Sequence, residues 1–175
     1  MIATSPWPSE ARCDLFYGDP HGAPGLPSAQ WMAQNLVMVE PPFKMFYCGR
    51  PISKIQVHKK VAPSLTRVLK LIWVAAGAEQ RTVDDWGASV FSGSFCFRPM
   101  RGASKLSIHS YGAAIDLDAP RNGLFDRTPH FTANHPVVRA FLSEGWIWGG
   151  DWNGNGLSED ERRCDGMHFQ AARIK

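Results

Sequence analysis

The sequence predicts an α+β fold in which a small antiparallel sheet packs against helices. One long segment, Ala62 to Ala76, repeats its apolar residues at helical spacing, and four short pieces rich in aromatic or branched residues read as strands. The chain has 175 residues, 44% of them hydrophobic, which is enough to bury one core without disulfides, so a single domain over 1–175 is expected.

Residues 1–30 carry Pro6, Pro8, Pro20, Pro24 and Pro27 with Gly18, Gly22 and Gly25, a density that predicts an irregular arm wrapping the domain. Ala29 to Val39 is readable as a short strand or a short helix, and Pro41-Pro42 ends it. In the main helix Pro63 suits the first turn, Leu65, Val68, Leu69 and Ile72 share one face, and Gly77 suits the C-terminal cap. A second helix is predicted from His135 or Pro136 to about Ser143, with Val137, Val138, Phe141 and Leu142 inward and Gly145 after its end. The strand-like pieces are Phe95 to Phe97, Ala113 to Leu117, Trp146 to Trp148 and Met167 to Gln170. No repeat, low-complexity tract or internal linker divides the chain.

Composition narrows the function classes. The net charge of +3 comes from scattered Lys and Arg with no dense basic block, and no nucleic-acid-binding module is recognisable. The most apolar stretch, Leu71 to Ala78, is far shorter than the ~18 residues of a membrane span. Met1 to Pro20 lacks the basic start and apolar run of a secretory signal, so synthesis in a cytoplasm is expected. Cys13, Cys48, Cys96 and Cys164 form no C-x-x-C pair and are expected to be buried reduced thiols. A monomer is expected.

The chemistry concentrates in two places. Ser107-Ile108-His109-Ser110-Tyr111-Gly112-Ala113-Ala114-Ile115-Asp116 couples an imidazole to a carboxylate. In a strand from Ala113, Ala114, Asp116 and Asp118 share one face, and Gly112 permits the turn that folds His109 back beside Asp116. Asp165-Gly166-Met167-His168-Phe169-Gln170 supplies a second His, with a carboxylate three residues before it. His109, Asp116 and His168 would leave one position of a zinc ion open, the pattern of catalytic rather than structural sites. Asp165 is then the expected general base.

These residues resemble the zinc D-alanyl-D-alanine carboxypeptidase and L-alanyl-D-glutamate endopeptidase family, which includes phage endolysins. The Ser107 to Asp116 pattern is similar to its first motif, and Trp146-Ile147-Trp148-Gly149-Gly150-Asp151-Trp152 followed by Asp165-x-x-His168-Phe169 is similar to its second. The resemblance implies a hedgehog-like α+β zinc peptidase acting on peptidoglycan peptides. It also implies that Arg98, in Phe97-Arg98-Pro99, polarises the scissile carbonyl, with Arg101 as the alternative. An Asp rather than a Glu at 165 leans toward the endopeptidase branch. Without a signal segment, such an enzyme would reach the wall only after release, as when a phage lysis system opens the membrane.

Tyr111, Trp148 and Trp152 either line a substrate groove or pack in the core. Asp151-x-Asn153-x-Asn155-Gly156 copies the first half of a calcium-binding loop, but position twelve is Arg162, and a solvated turn is the simpler reading. His21, His58, His130 and His135 are assigned to surface or core. Two other functions compete with a peptidase: a zinc module of the same fold that has lost turnover, which would have no need of Asp165, and a nucleic-acid binder.

Overall fold

The longest helix of the computed structural model, which describes residues 5–175, is α3 (Ala62–Ala75), with Pro63 in its first turn as the sequence predicts. Leu65, Val68, Leu69 and Ile72 are fully buried along its inner face. The second predicted helix is α5 (Pro136–Ser143), capped by the His135 ring, which accepts from Val137 N. Val137, Val138 and Phe141 face inward, but Leu142 is 43% exposed, because the helical turn that buries Phe141 carries its neighbour to the solvent side.

Both readings of Ala29 to Val39 are realised in succession, as α2 (Ala29–Asn35) and β1 (Leu36–Val39). Ser28 caps α2 through Trp31 N, and β1 then pairs antiparallel with β4 (Ile55–His58). Between them lies a hairpin of β2 (Met45–Tyr47) and β3 (Arg50–Ile52) that the sequence did not announce. A short α4 (Gln80–Trp86) was likewise missed, since Val83 is the one residue it fully buries and no apolar period results.

The sheet that matters for function has four antiparallel strands in the order β5 (Phe91–Gly93), β6 (Ala114–Leu117), β8 (His168–Gln170), β7 (Ile147–Trp148). Its core face rests on α5, where Phe141 stacks on Phe169 of β8 at 4.1 Å between ring centres and 16° between planes. Small antiparallel sheets against helices agree with the predicted α+β class.

Phe95 to Phe97, expected as a strand, is irregular. Its backbone turns to the motif loop instead of a ladder: Cys96 N donates to His109 O, and the Cys96 carbonyl lies 3.3 Å from the Ser110 hydroxyl oxygen. Asp118 also departs from expectation, because β6 ends at Leu117 and Asp118 turns into the left-handed region at φ 49°, where it pairs with Arg121.

The N-terminal arm, whose first four residues lie outside the described ones, is not wholly irregular. A 3-10 turn at Glu10–Arg12 leads into α1 (Cys13–Tyr17). Trp7 and Tyr17 are buried, the Tyr17 hydroxyl donates to Ala171 O, and Glu10 N and Arg173 N bond across to Arg173 O and Pro8 O. All four cysteines are free; Cys13 and Cys164 are buried, whereas Cys48 and Cys96 are exposed, contrary to expectation.

Candidate metal centre

Asp116 and His168 are direct cross-strand partners, one on β6 and one on β8, so their side chains leave the same face of the sheet. His109 arrives from a 3-10 turn, Ile108–Tyr111, that Ser107 caps at its start. Gly112 closes that turn at φ +65°, and a Cβ there would lie 2.8 Å from His58 N and from Leu36 Cδ2, so only glycine fits. The Gly112 carbonyl accepts from His58 N, which ties the turn to β4.

The three side chains that the sequence picked out converge. His109 Nε2 lies 3.2 Å from His168 Nδ1 and 3.2 Å from Asp116 Oδ1, and His168 Nδ1 lies 3.1 Å from Asp116 Oδ1. The opposite ring nitrogens are already engaged: His109 Nδ1 donates to the Ser94 carbonyl at 2.6 Å, and His168 Nε2 donates to Gln170 Oε1 at 3.1 Å. With those hydrogens committed outward, the neutral rings turn lone pairs toward each other and toward a carboxylate. Three acceptors cannot satisfy one another, so protons or a cation must sit among them.

The spacing fits a small tetrahedral ion. Zinc bonds of about 2.0–2.1 Å imply about 3.3 Å between neighbouring ligand atoms, close to the observed triangle. His109 and His168 are buried and Asp116 partly so, and no other cluster of three His, Cys, Asp or Glu among the described residues offers ligand atoms near enough to share an ion.

Asp165 lines the same cleft, a cavity of about 340 Å³ that also receives Arg98, Arg101, Trp152, Arg163 and Gln170. Gly149 lets the Asp165 backbone come close: a Cβ there would stand 2.5 Å from Asp165 O, and Asp165 N donates to Gly149 O at 2.8 Å. The Trp148 indole donates to Gly166 O and pins the following residue. Asp165 Oδ1 is buried and has no hydrogen-bond partner among the described residues.

The two carboxylates differ in proton affinity. Burial alone would raise Asp116, but when protons rather than a cation fill the centre, hydrogen bonds and charge from the protonated His109 and His168 outweigh it and hold the carboxyl well below its ordinary value. Burial pushes Asp165 up; the His168 charge opposes this, and Asp116 adds to it. A site with one carboxylate held ionised and another of raised pKa separates a ligand from a proton-transfer group.

Arg98 lines the cleft on a segment that Ser110 holds from both sides, accepting from Arg98 N at 2.9 Å and donating to Arg98 O at 2.8 Å. Arg101, the alternative, lines it as well. Of the three candidate groove aromatics, Trp152 alone faces the cleft, its ring 5.8 Å from that of His168. Trp148 and Tyr111 are core residues, with the Tyr111 hydroxyl spent on Asp14. His58 is buried and His135 is a helix cap, while His21 and His130 are exposed.

In the loop after β7, the Asp151, Asn153 and Asn155 side-chain oxygens accept from backbone N–H groups of Asn155, Gly156 and Leu157. Nothing there supports bound calcium.

Sequence reasoning did not single out three groups around the ligands: the Ser94 carbonyl and Gln170, which bond the two rings, and Glu10, which bonds Gln170. Gln170 was discoverable, since in a strand a residue two beyond His168 shares its face. Ser94 and Glu10 reach the site from segments distant in sequence and left no local signal.

Residues 101–171 match a family model described as D-alanyl-D-alanine carboxypeptidase, and the match spans both ligand-bearing segments and Asp165. The match covers less than half of the chain and shows a likeness to that peptidase family over the stretch that carries the site. No curated protein and no solved structure matches the chain.

Proposed function

We propose that the protein is a zinc peptidase that hydrolyses stem-peptide bonds of bacterial peptidoglycan, as an L-alanyl-D-glutamate endopeptidase. The observation that carries this reading is the triangle of three acceptor atoms at 3.1–3.2 Å, set in a cleft beside a buried carboxylate oxygen with no partner. His109, Asp116 and His168 would hold the zinc, which when bound supplies a Lewis acid that activates water and polarises the scissile carbonyl.

The chain's own residues do the rest. Asp165 accepts a proton from the attacking water, and its raised pKa suits it to carry that proton to the leaving amine. Arg98 places a guanidinium at the cleft to stabilise the oxyanion that develops on the carbonyl. Trp152 offers a flat apolar wall against which the peptide can lie. Synthesis in a cytoplasm followed by release to the wall, and action as a monomer, belong to the same proposal.

The matched model's description favours a second reading, a D-alanyl-D-alanine carboxypeptidase. Mass spectrometry of purified peptidoglycan digested with and without a chelator separates the two. New amino termini on D-glutamate that vanish with the chelator are expected, whereas loss of terminal D-alanine alone would select the carboxypeptidase. Absence of both products, new amino termini on D-glutamate and freed D-alanine, with the zinc-loaded protein would refute both.

A further inference from the structure

The match to known peptidases stops short of the N-terminal arm, yet the arm reaches the candidate metal site through Gln170. The Gln170 side chain is buried, with 2% of the residue exposed, and its three contacts leave its amide one orientation. Nε2 lies 2.9 Å from the Ala172 carbonyl and 3.2 Å from Glu10 Oε1, both of which only accept, so both amide hydrogens are committed there. Oε1 must therefore face His168, and it lies 3.1 Å from His168 Nε2. An acceptor at that position requires the ring hydrogen on Nε2, which turns the Nδ1 lone pair toward His109 and Asp116. Glu10 is held in turn by Lys105, 3.1 Å from its second oxygen.

We infer that Gln170 and Glu10 are positioning residues of the metal site: Gln170 sets the tautomer of His168, and Glu10 of the arm fixes Gln170. The inference rests on the zinc reading above. It makes the arm a working part of the centre rather than a wrapping for the core. The Lys105 contact is a partly exposed ion pair of little energetic weight, so the carboxylate's role lies toward Gln170.

The test measures zinc affinity by chelator competition and the visible spectrum of the cobalt(II)-loaded protein, with the metal-free melting temperature as a control for folding. Gln170→Met removes the acceptor at similar volume and is expected to weaken zinc binding by about 10–100-fold, the usual effect of losing a ligand's hydrogen-bond partner. Glu10→Ala should weaken it in the same direction with an altered cobalt spectrum. Glu10→Gln, which keeps an acceptor for the Gln170 amide, should restore both readouts. Because position 10 lies outside the sheet, the Glu10 pair carries the test even if the Gln170 variant fails to fold. Wild-type affinity in Glu10→Ala, or equal losses in Glu10→Ala and Glu10→Gln, would overturn the inference. Failure of the unaltered protein to bind zinc would instead overturn the zinc reading itself.

Discussion

Replacing Asp165 by Asn should lower activity and raise stability. The two side chains are nearly isosteric, the backbone bond from Asp165 N to Gly149 O survives, and no cavity opens. What changes is charge. The folded protein raises the pKa of Asp165 above the unfolded value, chiefly through burial, so near neutral pH the native state carries an ionised carboxylate at a cost that the unfolded chain does not bear. The amide removes that cost, and for a chain of this size each kcal/mol relieved moves the melting temperature up by roughly 2–4 °C. Catalysis loses its proton acceptor, a contribution of about 10²–10⁴ in rate, or roughly 3–5 kcal/mol of barrier. Zinc binding should persist, because Asp165 is not among the three converging ligands. The assays are peptide release from purified walls, chelator competition for zinc, and calorimetric melting. Retained turnover would refute the role of Asp165 as base, and a clear fall in melting temperature would refute the reasoning about its burial.

Three further outcomes follow from the same geometry. Burial first, then the Lys60 and Lys59 charges, lowers His58 to about 4, so the folded ring stays neutral while the unfolded one takes a proton near 6.5. Stability should therefore fall by at most about 3 kcal/mol as pH drops from about 6.5 to about 4, and urea titrations of His58→Gln should show a flatter dependence across that window. Gly112→Ala should cost about 1–3 kcal/mol from its positive φ alone, and more from the backbone it would strike, with melting and zinc affinity falling together. Phe141→Ala removes the ring stacked on Phe169 and should cost about 3–5 kcal/mol in denaturant unfolding, while an unchanged midpoint would show that the stack contributes nothing.

The parts of the fold that were legible in the sequence are those whose signal is local. α3 and α5 announce themselves because each buries a full apolar face between recognisable caps. His109, Asp116, Asp165 and His168 stand in two short motifs, and cross-strand pairing of β6 with β8 brings the motifs together. The hairpin β2–β3 went unread because its strands are three residues each and half exposed, too short for alternation to register. Phe95 to Phe97 has the composition of a strand, but its backbone turns to the motif loop, a long-range choice that composition cannot express. For Trp148 and Tyr111 the sequence left groove and core equally open, and they lie in the core because the strand and turn that carry them face inward there.

The ligand frame has its rigidity from elsewhere. His109 sits on a turn bonded to residues 94–98, and Asp116 and His168 lie across one ladder rung, so the conformational entropy of bringing them together is lost when the sheet forms. The ion would then be an exchangeable lodger: a chelator could strip it from a protein that stays folded, and cobalt or manganese could take its place without the chain having to refold around it.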